Sequence, residues 1–135
     1  MSSNPAVLII GFNRPEHLER CLTSLKDCHG FSKYDVVIAL DGPRTEEDFG
    51  PVGRVREVAR KFAYSKSNVK IVESTENLGL GSFVIKSVCD VLEDYCSIIT
   101  VEDDLILGKY FLDFCSFGLR SEEHTSELQS RQYLV

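Results

Sequence analysis

The amino-acid sequence predicts a three-layer α/β/α fold built on a parallel β-sheet, and two patterns support this prediction. Four short runs of β-branched and other apolar residues are typical of strands that are buried on both faces. The segments between these runs repeat apolar residues at the three- and four-residue spacing of amphipathic helices. Alternating strands and helices favour right-handed crossover connections, so we predict a doubly wound sheet with the strand order 3-2-1-4.

The predicted elements follow one another from residue 6 onward. Strands are predicted at 6–10, 35–40, 69–72 and 97–101. The first helix begins at Pro15, because a proline in the first helical turn removes no hydrogen bond. The apolar stripes of the three intervening helices lie within 18–25, 52–62 and 83–92. These elements account for most of the chain as far as residue 104.

Composition and charge are those of one globular domain. The 135 residues are 43% apolar and 27% charged, and 15 Lys and Arg stand against 21 Asp and Glu, for a net charge of -6. This balance offers no basic surface, so we expect no nucleic-acid partner. No segment has the pattern of a signal peptide or a membrane span, so we expect a cytoplasmic protein without a membrane segment. The five cysteines show no CxxC spacing, and we expect them to be reduced and mostly structural.

The last sixteen residues, 120–135, resemble the conceptual translation of a widely used sequencing adapter. Residues 120–130 match the translated adapter codon for codon, and residues 131–135 fit its continuation. We therefore expect a natural domain over 5–119, truncated after its acidic motif, and a non-native tail over 120–135. Such a tail is expected to lie outside the sheet-helix core, although 122–129 has the propensity to form a helix.

Three consecutive carboxylates, Glu102, Asp103 and Asp104, follow the last predicted strand. Adjacent negative charges repel one another and are costly to bury, so they are tolerated together in water or beside a cation. Mg²⁺ and Mn²⁺ suit such a cluster, because they take oxygen ligands and often only one or two from protein. The cluster therefore indicates either a divalent-metal site or a solvated acidic turn.

Other candidate site residues follow the remaining predicted strands, at the edge where open α/β sheets bind ligands. Phe12, Asn13 and Arg14 follow the first strand, the segment 41–44 with Asp41 and Arg44 follows the second, and 73–81 follows the third. This carboxyl edge of the sheet would collect cationic side chains, carboxylates and flexible glycines. Such a set suits a phosphate-bearing ligand held through a metal.

Four of these segments together resemble the nucleotide-sugar half of the GT-A glycosyltransferases. The segments are VLIIGFNRP at 7–15, LDG at 40–42, NLGLG at 77–81 and VEDD at 101–104. The likeness is to family-2-type enzymes and to the N-acetylglucosaminyltransferase I group, in which Glu-Asp-Asp replaces the more usual Asp-x-Asp, and it covers residues 5–117. It implies a Rossmann-like sheet and transfer of a sugar from a nucleoside-diphosphate sugar to a glycan or other hydroxyl acceptor.

The resemblance also implies roles for individual residues. It sets seven of them around the donor, expected to be a UDP-sugar: Phe12, Asn13, Arg14, Asp41, Gly81, Glu102 and Asp103. Within this set Asp41 would accept a hydrogen bond from the uracil or a similar base. Asp104 would be the ligand of Mn²⁺ or Mg²⁺, which would stabilise charge on the leaving diphosphate. The catalytic base is expected beyond residue 119, so the chain itself is expected to be an inactive fragment.

Two other classes of function stay open at this point. A nucleotidyltransferase-like enzyme also uses carboxylates at strand ends, but no glycine-rich, lysine-bearing phosphate loop follows the first strand. A non-catalytic nucleotide-binding α/β module would need no catalytic base, because a fold alone confers no activity. Nucleotide specificity distinguishes the first of these from a glycosyltransferase.

Overall fold

The computed structural model describes residues 4–64, 66–125 and 132–134. Its strands are β1 (Ala6–Gly11), β2 (Val36–Leu40), β3 (Val69–Glu73), β4 (Ile98–Glu102) and β5 (Gln132–Leu134). Its α-helices are α1 (Pro15–Lys26), α2 (Phe49–Ala63), α3 (Leu80–Leu92) and α4 (Phe111–Thr125). None of the helices described is long and apolar enough to cross a membrane.

The sheet has the order β3-β2-β1-β4-β5, and all of its pairings are parallel. Val7 of β1 lies between Val36 of β2 and Ile99 of β4, and Val36 pairs in turn with Val69 of β3. The predicted order of the first four strands is therefore confirmed, as is the Rossmann-like α/β class. Parallel pairing brings the carboxyl ends of these strands to one edge of the sheet.

Two apolar cores lie on opposite faces of the sheet and make the fold three-layered. On one face, α1, α2 and α4 pack against the side chains of β1 that include Val7 and Ile9. On the other face, α3 packs against Leu8 and Ile10 of the same strand. Since successive strand residues point to opposite faces, a strand covered on both sides must be apolar throughout, as β1 and β2 are.

The predicted burial of the third strand is wrong. β3 alternates between half-buried and exposed residues, and Val72 is 37% exposed. Its side chains Lys70 and Val72 lie on the face that carries α3, but α3 lies over β1 and β4 and leaves β3 open. The apolar run therefore forms a strand as expected. This strand lies at the edge of the sheet, where one of its faces is uncovered.

The tail prediction is wrong for the backbone of residues 132–134. These residues form β5, which pairs with β4 in the register Ile98↔Gln132. The outer edge of β4 presents unpaired backbone N–H and C=O groups, and such an edge accepts any short extended segment. α4 also crosses the expected boundary after Leu119, while Leu128 of the expected helix lies outside the described residues. The adapter origin of the tail stays a prediction.

Three of the five cysteines, Cys21, Cys28 and Cys115, are buried thiols in the core beneath α1 and α4. Burial raises the pKa of Cys21 to about 12 and that of Cys115 to about 11. These thiols therefore stay protonated at neutral pH and act as small core side chains. Cys89, which was expected to be buried on its helix, is exposed.

Candidate functional site

A pocket of about 430 Å³ opens at the carboxyl edge of the sheet, where β1, β2 and β4 end. Six of the seven predicted donor-binding residues line it: Phe12, Asn13, Arg14, Asp41, Glu102 and Asp103. The remaining wall is apolar or comes from loops that follow other strands: Ile10, Gly11, Arg44, Asn77, Gly79, Leu80 and Phe83. We therefore call this cavity the carboxyl-edge pocket.

A larger cavity of about 640 Å³ lies at the amino ends of β2 and β3, and it is lined by none of the predicted site residues. Its floor includes Val37 of β2 and Val72 of β3, and its wall includes Asp90 of α3 and Asp94, which follows that helix. Ligands of open parallel sheets bind at the carboxyl ends of the strands. The smaller carboxyl-edge pocket is therefore the better candidate.

Two predicted site residues lie outside the wall of the carboxyl-edge pocket. Gly81 is in the first turn of α3, and a Cβ added there would meet no atom within 4 Å, so no close approach requires a glycine. Gly79 lines the pocket instead and has φ of +83°, a backbone conformation that favours glycine. Asp104 has a 43% exposed side chain that lies 4.0 Å from the guanidinium of Arg14, beside the pocket.

Arg14 links the loop after β1 to the acidic cluster after β4. Its Nη2 donates a hydrogen bond of 2.5 Å to Oδ1 of Asp103, which is 4% exposed. Burial raises the pKa of Asp103, and the positive charge of Arg14 opposes that rise. Asp103 is therefore a buried carboxylate oriented by an arginine, whereas Asp104 remains open to solvent.

Asp41 fixes the loop before α3. Its Oδ1 accepts hydrogen bonds from the backbone N–H groups of Gly42 (2.9 Å) and Leu78 (3.0 Å). Its Oδ2 accepts from the N–H of Gly79 (3.1 Å) and from Nδ2 of Asn77 (3.3 Å). An ionised carboxylate has about four acceptor positions, so the protein itself occupies all of them. The structure thus gives Asp41 a positioning role, and the expected bond to a base would have to displace one of these donors.

Gly42 lets the loops after β2 and β3 approach each other closely. A Cβ at this position would lie 2.8 Å from the carbonyl carbon and oxygen of Glu76 and 2.9 Å from the carbonyl oxygen of Ser74. These are backbone atoms that cannot rotate away. The Asp41-Gly42 pair therefore holds the neighbouring loop by hydrogen bonds and fits closely against it. From the sequence alone, an Asp-Gly pair indicates only a turn.

A third buried carboxylate, Asp48, connects the loop after β2 with the loop after β1. Its Oδ2 accepts from the backbone N–H of Arg44 (3.0 Å) and from Nε of the same residue (3.3 Å), and its Oδ1 accepts from Nδ2 of Asn13 (3.2 Å). The backbone bond from Arg44 lowers the pKa of Asp48, and the side chains of Asn13 and Arg44 lower it further. The guanidinium of Arg44 also lies 5.0 Å over the ring of Phe12.

Sequence reasoning missed Asp48 and Asn77 as site-forming residues. Asp48 lies in an acidic stretch before α2, which has the pattern of an ordinary helix start. Asn77 belongs to the NLGLG segment at 77–81, but on its own it indicates only that asparagine is common in turns. Asp48 bonds Asn13, which is 35 positions away, and Asn77 bonds Asp41, which is 36 positions away. No local pattern reveals such contacts.

The fit of a divalent metal depends on Asp104. Within the described ranges, no group of three or more His, Cys, Asp or Glu side chains is arranged to hold a metal ion. Asp103 is directed at Arg14, which leaves the exposed carboxylates of Glu102 and Asp104. One carboxylate is enough for Mg²⁺ or Mn²⁺ when phosphate oxygens and water complete the ligand set. The residues therefore fit an ion that arrives with a phosphate ligand.

Comparison with known proteins gives no family assignment. The sequence matches no protein-family model, and no curated protein is significantly similar to it. The function must therefore be argued from the geometry of the carboxyl-edge pocket and from the chemistry of its residues.

Proposed function

We propose that this protein is a GT-A-type glycosyltransferase, of the hexosyltransferase type, which binds a UDP-sugar with a divalent metal. The sugar would pass to a hydroxyl group of a glycan or another acceptor. The observation that carries this proposal is the convergence of the loops after β1, β2 and β4 on one pocket. There, a half-exposed arginine paired with a buried carboxylate lies beside an exposed carboxylate, Asp104.

The size and lining of the carboxyl-edge pocket support a nucleotide ligand. A volume of about 430 Å³ is within the range of small-molecule sites. Phe12, Leu80 and Phe83 supply apolar surface for a base and ribose, while Glu102 and Asp103 supply polar groups at the β4 side. A ligand with a flat apolar part and an anionic part joined to a metal would match both sides.

Asp104 would hold the metal, and Arg14 would keep the acidic cluster in position. When bound, Mn²⁺ or Mg²⁺ acts as a Lewis acid that stabilises negative charge on the leaving diphosphate. Arg14 hydrogen-bonds Asp103 but lies 4.0 Å from Asp104, so Asp104 is the more weakly held carboxylate and the one available to the ion. The half-exposed guanidinium of Arg14 also places positive charge beside the phosphate groups.

A nucleotide-binding module without catalysis is the second candidate. Two carboxylates of the pocket, Asp41 and Asp103, are already hydrogen-bonded within the protein, so neither is free to serve as a general base. Glu102 is exposed at the pocket and is the remaining carboxylate of the lining. A binding function requires no such group, and transfer assays with the complete enzyme would separate the two candidates.

Thermal denaturation with a matched set of ligands tests the proposal. Ligands that bind only the folded state raise its melting temperature. We expect UDP-glucose and UDP with Mn²⁺ to raise Tm by several degrees, and uridine with Mn²⁺ to raise it much less. Equal shifts with ATP and UDP would favour a nucleotidyltransferase-like protein. No shift with any nucleotide would contradict the proposal.

A further inference from the structure

We propose that Arg44, whose guanidinium lies 5.0 Å from the centre of the Phe12 ring, recognises the nucleobase and selects uracil over cytosine. This inference rests on the proposed function, because it concerns the base of the nucleotide that the carboxyl-edge pocket would bind. It assigns the recognition to a residue on the loop after β2 rather than to Asp41. Arg44 would therefore determine specificity in binding the donor.

The carboxyl-edge pocket has two chemically different ends. At the β4 end, Arg14 contacts Asp103 and approaches Asp104. At the β2 end, the guanidinium of Arg44 lies over the ring of Phe12. A metal and the phosphate groups belong at the end that carries the exposed carboxylate. The base of the same nucleotide therefore belongs at the β2 end, beside Arg44.

Two other polar groups at the β2 end, the carboxylate of Asp41 and the amide nitrogen of Asn77, are already used by the protein. Asp41 receives four hydrogen bonds, two on each carboxylate oxygen. The amide nitrogen of Asn77 donates to the carbonyl oxygen of Gly42 (2.8 Å) and to Asp41. Recognition of a base by Asp41 would break a bond that holds the loop before α3. Such a replacement gains little, because one hydrogen bond is exchanged for another.

The guanidinium of Arg44 is restrained by two contacts, although its side chain is 62% exposed, and it still has donors to offer. Its Nε donates to the buried carboxylate of Asp48, its central carbon lies over the ring of Phe12, and Asp48 is held in turn by Asn13. Among the residues that the structure describes, no hydrogen-bond partner contacts its two terminal nitrogens. A planar cation that is already restrained by an ion pair and a ring contact loses less freedom on binding a ligand, so its free N–H groups are partly preorganised donors.

Arginine donates and never accepts hydrogen bonds, and this property sets the selectivity. Uracil presents a carbonyl oxygen at ring position 4, where cytosine presents an amino group. A fixed guanidinium at that position would bond the carbonyl and leave the amino group facing another donor. Hydrogen bonds to charged groups contribute about 1.5–3 kcal/mol, so the discrimination should be about tenfold or more.

Calorimetric titrations of UDP and CDP, each with Mn²⁺, into the full chain and its variants test this inference. Wild-type protein should bind UDP at least about tenfold more tightly than CDP. Arg44→Met should lose this preference by weakening UDP binding, while its affinity for pyrophosphate with Mn²⁺ stays unchanged. Arg44→Lys keeps the charge without the planar group and should lose most of the preference as well. Arg54→Met is the matched control, because Arg54 lies on α2 outside the carboxyl-edge pocket.

The outcomes separate this inference from the proposed function. An unchanged UDP preference in Arg44→Met would overturn the role of Arg44 and leave the proposed function standing. Equal weakening of UDP, CDP and pyrophosphate binding would also overturn it, because Arg44 would then contact phosphate rather than base. If wild-type protein bound none of the three ligands with Mn²⁺, the proposed function and this inference would both fail. Circular dichroism of each variant shows whether a loss of binding comes from unfolding.

Discussion

Arg14 and Asp103, which are 89 positions apart in sequence, form a hydrogen-bonded ion pair of 2.5 Å between the loops after β1 and β4. The carboxylate side chain is 6% exposed and the guanidinium side chain is 48% exposed, so only one partner is desolvated. A buried carboxylate without this partner would be strongly destabilising in its charged form. The pair therefore decides whether the acidic cluster keeps a buried anion at neutral pH.

Arg14→Met should make stability more dependent on pH. Burial already raises the pKa of Asp103 above 3.8, and removal of the positive charge would raise it further. A carboxyl group whose pKa is higher in the folded state favours folding when protonated, so its contribution is lost as pH rises through the folded-state pKa. We expect a loss of about 1 kcal/mol at pH 7, discounted because Arg14 is half exposed, and almost none at pH 3. Urea unfolding at both pH values measures this difference.

The double variant Arg14→Met/Asp103→Asn is the control for that prediction. It removes the carboxylate that the arginine compensates, so stability at pH 7 should recover relative to Arg14→Met. A double variant as unstable as the single one would show that Arg14 acts through packing of its side chain rather than through its charge.

Asp41→Ala should destabilise the protein by about 2 kcal/mol, because it leaves backbone N–H groups of Gly42, Leu78 and Gly79 without their acceptor. The loop before α3 would then lose its fixed position, so donor binding should weaken while affinity for free Mn²⁺ stays unchanged. Guanidinium unfolding and metal titration measure the two effects. Asp90→Ala removes an exposed carboxylate paired with Lys86 and should change stability by less than about 0.5 kcal/mol. Equal effects of the two substitutions would contradict the role of Asp41.

Two glycines of the predicted site should respond to alanine in opposite ways. Gly42→Ala places a Cβ within 2.8 Å of the backbone of Glu76 and should cost about 1–3 kcal/mol. Gly81→Ala meets no atom within 4 Å and lies in the first turn of α3, so it should stabilise the protein by up to about 1 kcal/mol. Thermal unfolding of both variants tests the pair. A destabilised Gly81→Ala would contradict the open environment of that residue.

The sequence predicted the structural features that depend on local residue patterns. The strands β1 and β2 are apolar throughout because helices cover both of their faces, and this pattern is visible without coordinates. The same reasoning failed for β3: the predicted order put this strand at the edge of the sheet, but its apolar run did not show that one of its faces is uncovered. The residues after each strand could also be predicted, because parallel pairing brings strand ends to one edge.

The predicted site was incomplete where contacts link distant loops. Sequence position put Asp41 at the pocket correctly, but the donors that fill its acceptor positions include Asn77, Leu78 and Gly79, which lie beyond a helix and a strand. In the sequence, Asp48 looks like any other acidic residue before a helix. Its hydrogen bond from Asn13, which only the structure shows, distinguishes it. The unexpected pairing of β5 depends on an edge of β4 that a linear pattern does not expose.

Binding of a nucleoside diphosphate with a metal held by Asp104 is the central claim of the proposed function. Asp104→Asn keeps the size of the side chain and removes the ligand charge, so the affinity for metal and nucleotide should fall together. The matched control is Asp113→Asn, because Asp113 is a partly exposed carboxylate on α4 that pairs with His29 outside the carboxyl-edge pocket. Its binding should equal that of the wild type.

The most direct measurement is calorimetric titration of UDP into the wild type, Asp104→Asn and Asp113→Asn, each with and without Mn²⁺. We expect Mn²⁺ to increase the affinity of the wild type and of Asp113→Asn for UDP by about tenfold or more, equivalent to about 1.4 kcal/mol. Asp104→Asn should show no such increase. Equal UDP affinity of the wild type with and without Mn²⁺, or an Asp104→Asn variant that keeps the full increase, would leave the acidic cluster as a solvated turn.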